Sequence, residues 1–191
     1  MTPQSTIQVW DPLIRLFHWL LLLTFIVAYA SGEEWLALHV TTGYAIGGLL
    51  IFRMVWGIVG PGHARFSDFV RSPSAIRAYL QDLVRLRAPR YLGHNPAGGA
   101  MVVALLASLT VTTVSGLALY ESSEFAGPLQ GLVSHAPFWA DVLKGLHEAA
   151  ANLTVLLIVL HVGGVLVSSL LHRENLVRAL ISGRKPEEVT R

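Results

Sequence analysis

No cysteine occurs among the 191 residues, which excludes disulfides, thiolate-ligated clusters and thioether attachment of a prosthetic group. Charge is scarce as well: charged residues make up 14% of the chain against 53% hydrophobic ones, a balance that excludes an ordinary soluble domain. The formal net charge is +2 and the sequence pI about 9.2, but the arginines sit where a membrane protein retains positive charge on its cytoplasmic side. Nucleic acid is therefore not an expected partner.

What is abundant is long apolar sequence. Four stretches, Leu13 to Ala30, His39 to Val59, Ala97 to Leu119 and Leu146 to Leu171, approach the ~20 residues needed to cross a bilayer core of ~30 Å. The expected fold is all-α: one transmembrane domain, residues 1–191, built as a four-helix bundle. Arg53, Arg65, Arg71, Arg77, Arg85, Arg87 and Arg90 flank the second connection, and Arg173, Arg178, Arg184, Lys185 and Arg191 follow the fourth stretch. The positive-inside rule then puts both termini of a multi-pass membrane protein in the cytoplasm. The other two connections carry Glu33, Glu34, Glu121, Glu124, Asp141 and Glu148 against one Lys144, so the outer face is expected to be acidic. Ala28-Tyr29-Ala30 resembles a signal-peptidase site, but Asp11 and His18 in and before the apolar run argue against cleavage.

Smaller signals refine this outline. Trp10-Asp11-Pro12 reads as a turn into the first helix, with proline at its first turn. Ser72-Pro73 followed by Ile76, Leu80, Leu83 and Leu86, with Arg77, Arg85 and Arg87 nearby, predicts a short amphipathic helix on the cytoplasmic interface between helices two and three. Gly43, Gly47 and Gly48 suit either close helix packing or room beside a ligand. The third stretch has no histidine and reads as a packing helix. The connection from Tyr120 to Gly145 is long enough for a lid or docking surface.

The chemistry lies in four histidines. An ionisable side chain in a hydrocarbon-length helix is costly, and His18, His39, His147 and His161 fall in three such helices. His147 and His161 are fourteen residues apart, a rise of ~21 Å and a rotation ~40° short of four turns, so they share one face at different depths. Alternating helix direction places His39 with His147 near the outer surface and His18 with His161 in the inner half. Two imidazoles per level leave zinc under-coordinated, whereas haem iron needs only two axial ligands. The expectation is two non-covalent b haems, each held by two histidines. His63, His94, His135 and His172 lie in connections or at helix ends, where solvation is the default.

At this point the residues match a family. The chain resembles the bacterial cytochrome b561 family, in particular the branch of nickel-iron hydrogenase b-type cytochrome subunits. The resemblance rests on Val9-Trp10-Asp11-Pro12 with Arg15, Phe17, His18 and Trp19; on Arg53-Met54-Val55-Trp56-Gly57, Gly60 and Ala64 to Phe69; on Leu92-Gly93-His94-Asn95-Pro96; and on His147, His161, His172 to Leu176 and Gly183-Arg184-Lys185. It implies a di-haem cytochrome of the bacterial inner membrane, passing electrons between a periplasmic redox partner and the quinone pool. The inner ligands it implies are His18 and His161, the outer ones His39 and His147. The short first outer loop and the lack of a fused soluble domain leave the partner open between a hydrogenase or other dehydrogenase subunit and a c-type cytochrome.

Arg15 and Arg53 are candidates for pairing with haem propionates, or else ordinary positive-inside arginines. His63, Arg65 and His94, with Arg15, are candidates for an inner quinone site. Two rival functions are an oxidoreductase passing electrons from superoxide or another small species to quinone, and a haem-free membrane anchor or metal transporter.

Overall fold

The structure, a computed structural model, describes residues 5–32, 34–133 and 136–187. Glu33, His135 and Arg191 lie outside them. In chain order the elements are β1 (Thr6–Gln8), α1 (Pro12–Ser31), α2 (Leu36–Val59), a 3-10 turn (Gly62–Ala64), α3 (Phe66–Phe69), α4 (Pro73–Val84), α5 (Pro96–Glu124), α6 (Pro137–Leu171), α7 (Leu176–Ser182) and β2 (Arg184–Pro186). Helices α1, α2, α5 and α6 are long and apolar enough to cross a membrane. Their apolar side chains remain exposed along their length: Ile51 is 69% exposed, Ile58 71% and Leu170 80%. Apolar surface on that scale needs a lipid solvent.

The helices begin where local chemistry allows. Asp11 Oδ1 accepts from the backbone N–H groups of Leu13 and Ile14 at 3.0 and 3.1 Å, which caps α1 ahead of Pro12. Ser72 caps α4 by accepting from Ala75 N at 3.3 Å. Two expected boundaries move. α5 continues past Leu119 to Glu124 because Glu121 and Ser122 are buried rather than solvated, and the Glu121 carboxylate accepts from Gly131 N at 2.9 Å. α6 begins nine residues before Leu146, at Pro137, which suits the first helical position. The long outer connection expected from Tyr120 to Gly145 therefore shrinks to residues 125–136.

The chain forms two compact units, and each long helix gives one segment to each. The first comprises Met1–Leu20, Phe52–Val103 and Val159–Arg191. In it β1 pairs antiparallel with β2, Ile7 opposite Lys185, and the N–H groups of Val9 and Trp10 donate to Gly183 O. Gly183 closes α7 in the left-handed region (φ 78°), and a Cβ there would lie 2.7 Å from Trp10 O, so only glycine fits. Lys185 and Glu174 pair at 3.4 Å with both side chains about 5% exposed or less; Arg90 also pairs with Glu174 and donates to Pro186 O at 2.6 Å.

The second unit comprises Leu21–Ile51 and Ala104–Ile158. Apolar side chains gain little by leaving lipid for one another, so polar bonds between helices matter here. Ser108 Oγ lies 2.8 Å from Thr154 Oγ1 between α5 and α6, and Tyr29 donates to Asn152 Oδ1 at 2.9 Å between α1 and α6. Thr154 is fully buried.

Candidate functional site

Two histidine pairs form, one in each unit. In the first unit His18 of α1 faces His161 of α6, with ring centroids 6.5 Å apart and planes inclined by 47°. In the second, His39 of α2 faces His147 of α6 at 5.8 Å and 79°. All four are half-buried. A metal–imidazole bond is ~2 Å and a ring centroid lies ~1 Å beyond its nitrogen, so two rings on opposite sides of one metal ion sit ~6 Å apart. Both separations match that value, and the residues present fit the axial positions of haem iron. Among the described residues no three of His, Asp and Glu gather as a metal cluster, so each level offers two ligands.

A Cβ placed on Gly43, Gly48, Gly163 or Gly164 would meet nothing within 4 Å, and only Gly47 approaches a neighbour, Thr113 at 3.5 Å. Most of these glycines thus border open space, which for the exposed Gly48 and Gly164 is the surface of their helices.

The pairs differ in what holds their rings. His39 Nδ1 lies 2.9 Å from Ala28 O, and His147 Nδ1 lies 2.8 Å from Thr112 O. A carbonyl can only accept, so each ring carries its proton on Nδ1 and leaves Nε2 free to ligate. Gly116 makes room for this arrangement: a Cβ there would sit 2.8 Å from His147 Cε1 and 3.0 Å from Nδ1. His18 Nδ1, by contrast, is buried without a hydrogen-bond partner.

The two candidate propionate partners each make bonds within the protein. Arg15 donates through Nε to Leu180 O at 3.0 Å and through Nη2 to Ile181 O, which satisfies the last carbonyls of α7. Arg53 is buried, donates to Ala64 O at 2.9 Å, and lies 4.7 Å from the Phe66 ring centroid. Of the candidate quinone residues, His63 and His94 line one cleft of about 280 Å³ with Arg71, Arg90 and Tyr91, while Arg65 is exposed outside it. His94 is held between Trp10 and Phe69, each 4.7 Å away by ring centroid. Burial above all, and then the Arg53 charge, push its pKa down to about 3, so it is a neutral imidazole at physiological pH.

The four histidines of the two ring pairs were legible in the sequence, but the carbonyls of Ala28 and Thr112 were not, because a backbone acceptor has no residue signature. The grouping of Trp10, Arg71, Arg90 and Tyr91 around His94 was not legible either, because it joins the residues ahead of α1 to the connection between α2 and α5. Gly116 was the one readable sign, as a residue without a side chain in a helix that otherwise looked merely structural.

A family model described as prokaryotic cytochrome b561 matches residues 9–183. A probable Ni/Fe-hydrogenase B-type cytochrome subunit of Azotobacter vinelandii is 22% identical over 94% of this chain and 88% of its own length. A protein of the same description from Cupriavidus necator is 24% identical, covering 83% of this chain and 68% of the relative. No solved structure matches the chain significantly.

Proposed function

Because the chain belongs to the prokaryotic cytochrome b561 family, and is thus a membrane electron-transfer cytochrome that binds haem b, we propose that it carries electrons between a redox protein outside the cytoplasmic membrane and the quinone pool inside it. The observation that carries the reading is the pair of imidazole pairs, at 6.5 and 5.8 Å, each suited to two axial bonds on one iron. His18 and His161 hold one haem, and His39 and His147 the other. Each bound haem supplies a one-electron iron couple.

The protein's own residues supply the rest. The Ala28 and Thr112 carbonyls orient the rings of His39 and His147 toward a ligand through Nε2. Arg53, buried without a carboxylate salt bridge among the described residues, places a positive charge in the unit that contains His18 and His161. The cleft at His63 and His94 is the quinone headgroup site in this reading, with cationic Arg71 and Arg90 on its wall and the neutral His94 able to exchange a hydrogen bond with a carbonyl or hydroxyl. The hydrogenase-subunit description of the relatives supports a dehydrogenase or hydrogenase as the external partner.

The test is the reduced-minus-oxidised absorption spectrum of the purified protein together with its haem content. Two b haems per chain are expected, with His18→Ala and His39→Ala each losing about half. Absence of b-type bands, or loss of both haems from either change in a protein that is still folded, would overturn independent bis-histidine sites.

A further inference from the structure

The connection between α2 and α5 carries more positive charge than the protein itself uses. From residue 71 to residue 90 it holds Arg71, Arg77, Arg85, Arg87 and Arg90, with Asp82 as the one acidic side chain. Arg90 pairs with Glu174, and Arg71 donates to Asp68 O at 2.8 Å. Arg77, Arg85 and Arg87 are exposed, and among the described residues their guanidinium groups have no hydrogen-bond or ion-pair partner.

The helix α4 sets two of these arginines beside an apolar row. Its packed side is marked by Tyr79, 3% exposed, whose ring lies 5.8 Å from that of Tyr91. Arg77, Gln81 and Arg85 follow one another at spacings of four, a row that turns only ~40° per step, and Ile76, Leu80 and Val84 form the parallel row next to it. Together the six line an open groove of about 650 Å³ on the side away from Tyr79, with no acidic side chain in its wall. Leu80 is 45% exposed there and Val84 84%.

Tethers and charge select the occupant. α4 hangs between two membrane spans by residues 60–72 and 85–95, so lipid is always within its reach. An apolar row beside a cationic one suits a helix lying flat where headgroups meet acyl chains. Guanidinium forks match phosphate oxygens, and a headgroup of net negative charge attracts them further. All of the lining comes from α4, so the groove has no second wall to grip a folded partner, whereas an acyl chain needs none.

We propose that α4 is the binding site of an anionic phospholipid, whose phosphodiester pairs with Arg77 and Arg85 while an acyl chain lies along Ile76, Leu80 and Val84. The site is separate from both histidine pairs and does not depend on what they bind.

The experiment is native mass spectrometry of the purified full chain, delipidated in detergent and titrated with phosphatidylglycerol or with phosphatidylcholine of the same acyl chains. Phosphatidylglycerol is expected to be retained at least ~tenfold more tightly. Arg77→Gln combined with Arg85→Gln should bring that preference below ~threefold, since each arginine near the surface adds to the attraction. Leu80→Ser combined with Val84→Ser should weaken both lipids and leave the preference in place. All four side chains are exposed, so the variants keep the fold, which helical circular dichroism verifies. Arg178→Gln, at an exposed arginine of α7, should leave the preference unchanged. Equal retention of the two lipids, or equal loss of preference from Arg178→Gln and Arg77→Gln, would overturn the site, the second outcome in favour of diffuse charge. Displacement of phosphatidylglycerol by an equal concentration of inorganic phosphate would assign the arginines to a free anion. A change of oligomer mass in the arginine variant, with lipid retention unaltered, would assign the groove to a second copy of the chain, and either result refutes the lipid.

Discussion

Single residues decide how the protein responds to pH. His94 has a folded pKa of about 3 against 6.5 for the free side chain, chiefly because it is buried. Its neutral form is therefore the folded form. The stability it contributes is complete above pH 6.5 and is lost as pH falls through the window toward 3, at up to ~1.4 kcal/mol per pH unit. His172, also depressed by burial first, adds a slope of the same sign. Thermal unfolding of the detergent-solubilised protein should show a midpoint that falls between pH 6.5 and 4. His94→Phe, which keeps a ring between Trp10 and Phe69, should flatten that fall, leaving the smaller His172 component. An unchanged slope in His94→Phe would show that the acid sensitivity comes from elsewhere. At this scale the sequence was least legible: His94 reads as a solvated loop residue until Trp10 and Phe69 are seen to cover it.

Elements were more legible where one residue states its own role. Asp11 ahead of Pro12 and Ser72 ahead of Pro73 are local signals, and both cap the helices they precede. The misplaced boundaries have a common cause. A polar residue ends an apolar run on paper, yet the Glu121 carboxylate accepts from Gly131 N, and Asp141 and Lys144 ride on a helix that begins before the apolar run does. The β1–β2 clasp was invisible because its bonds join residues some 180 positions apart. It depends on Glu174, which faces both Lys185 and Arg90 with little exposure. Glu174→Ala leaves Lys185 buried without its carboxylate, and loss of one partner of a buried pair typically costs ~3–5 kcal/mol. Denaturant or thermal unfolding should register a loss of that order in Glu174→Ala, with haem content unchanged while the protein remains folded. A loss below ~1 kcal/mol, the range of exposed pairs, would show that the cluster is solvated.

For the whole molecule, the apolar belt and the four spans were legible from composition alone, because lipid-facing helices advertise themselves in every residue they expose. Orientation is a matter of charge, and the cysteine-free sequence makes it directly measurable. With both termini inside, Arg87→Cys should react with a membrane-impermeant maleimide only after the inner face is opened, and Lys144→Cys should react from outside without permeabilisation. The reverse pattern would invert the assignment and place the acidic connections in the cytoplasm. The pairing of histidines by depth was equally legible, since it needed only helix direction and spacing. What spacing could not reveal was the difference in hydrogen bonding between the pairs.

Both pairs draw one histidine from α6, the last of the four long helices to leave the ribosome, and the other from α1 or α2, the first two. Neither site therefore exists in a nascent chain until synthesis has passed residue 147 for one and residue 161 for the other. In the proposed bis-histidine reading, loading of the cofactor is thereby a late event of biogenesis, sequential in the order His39–His147 and then His18–His161, and a chain arrested between those two points has one complete histidine pair and one unmatched histidine.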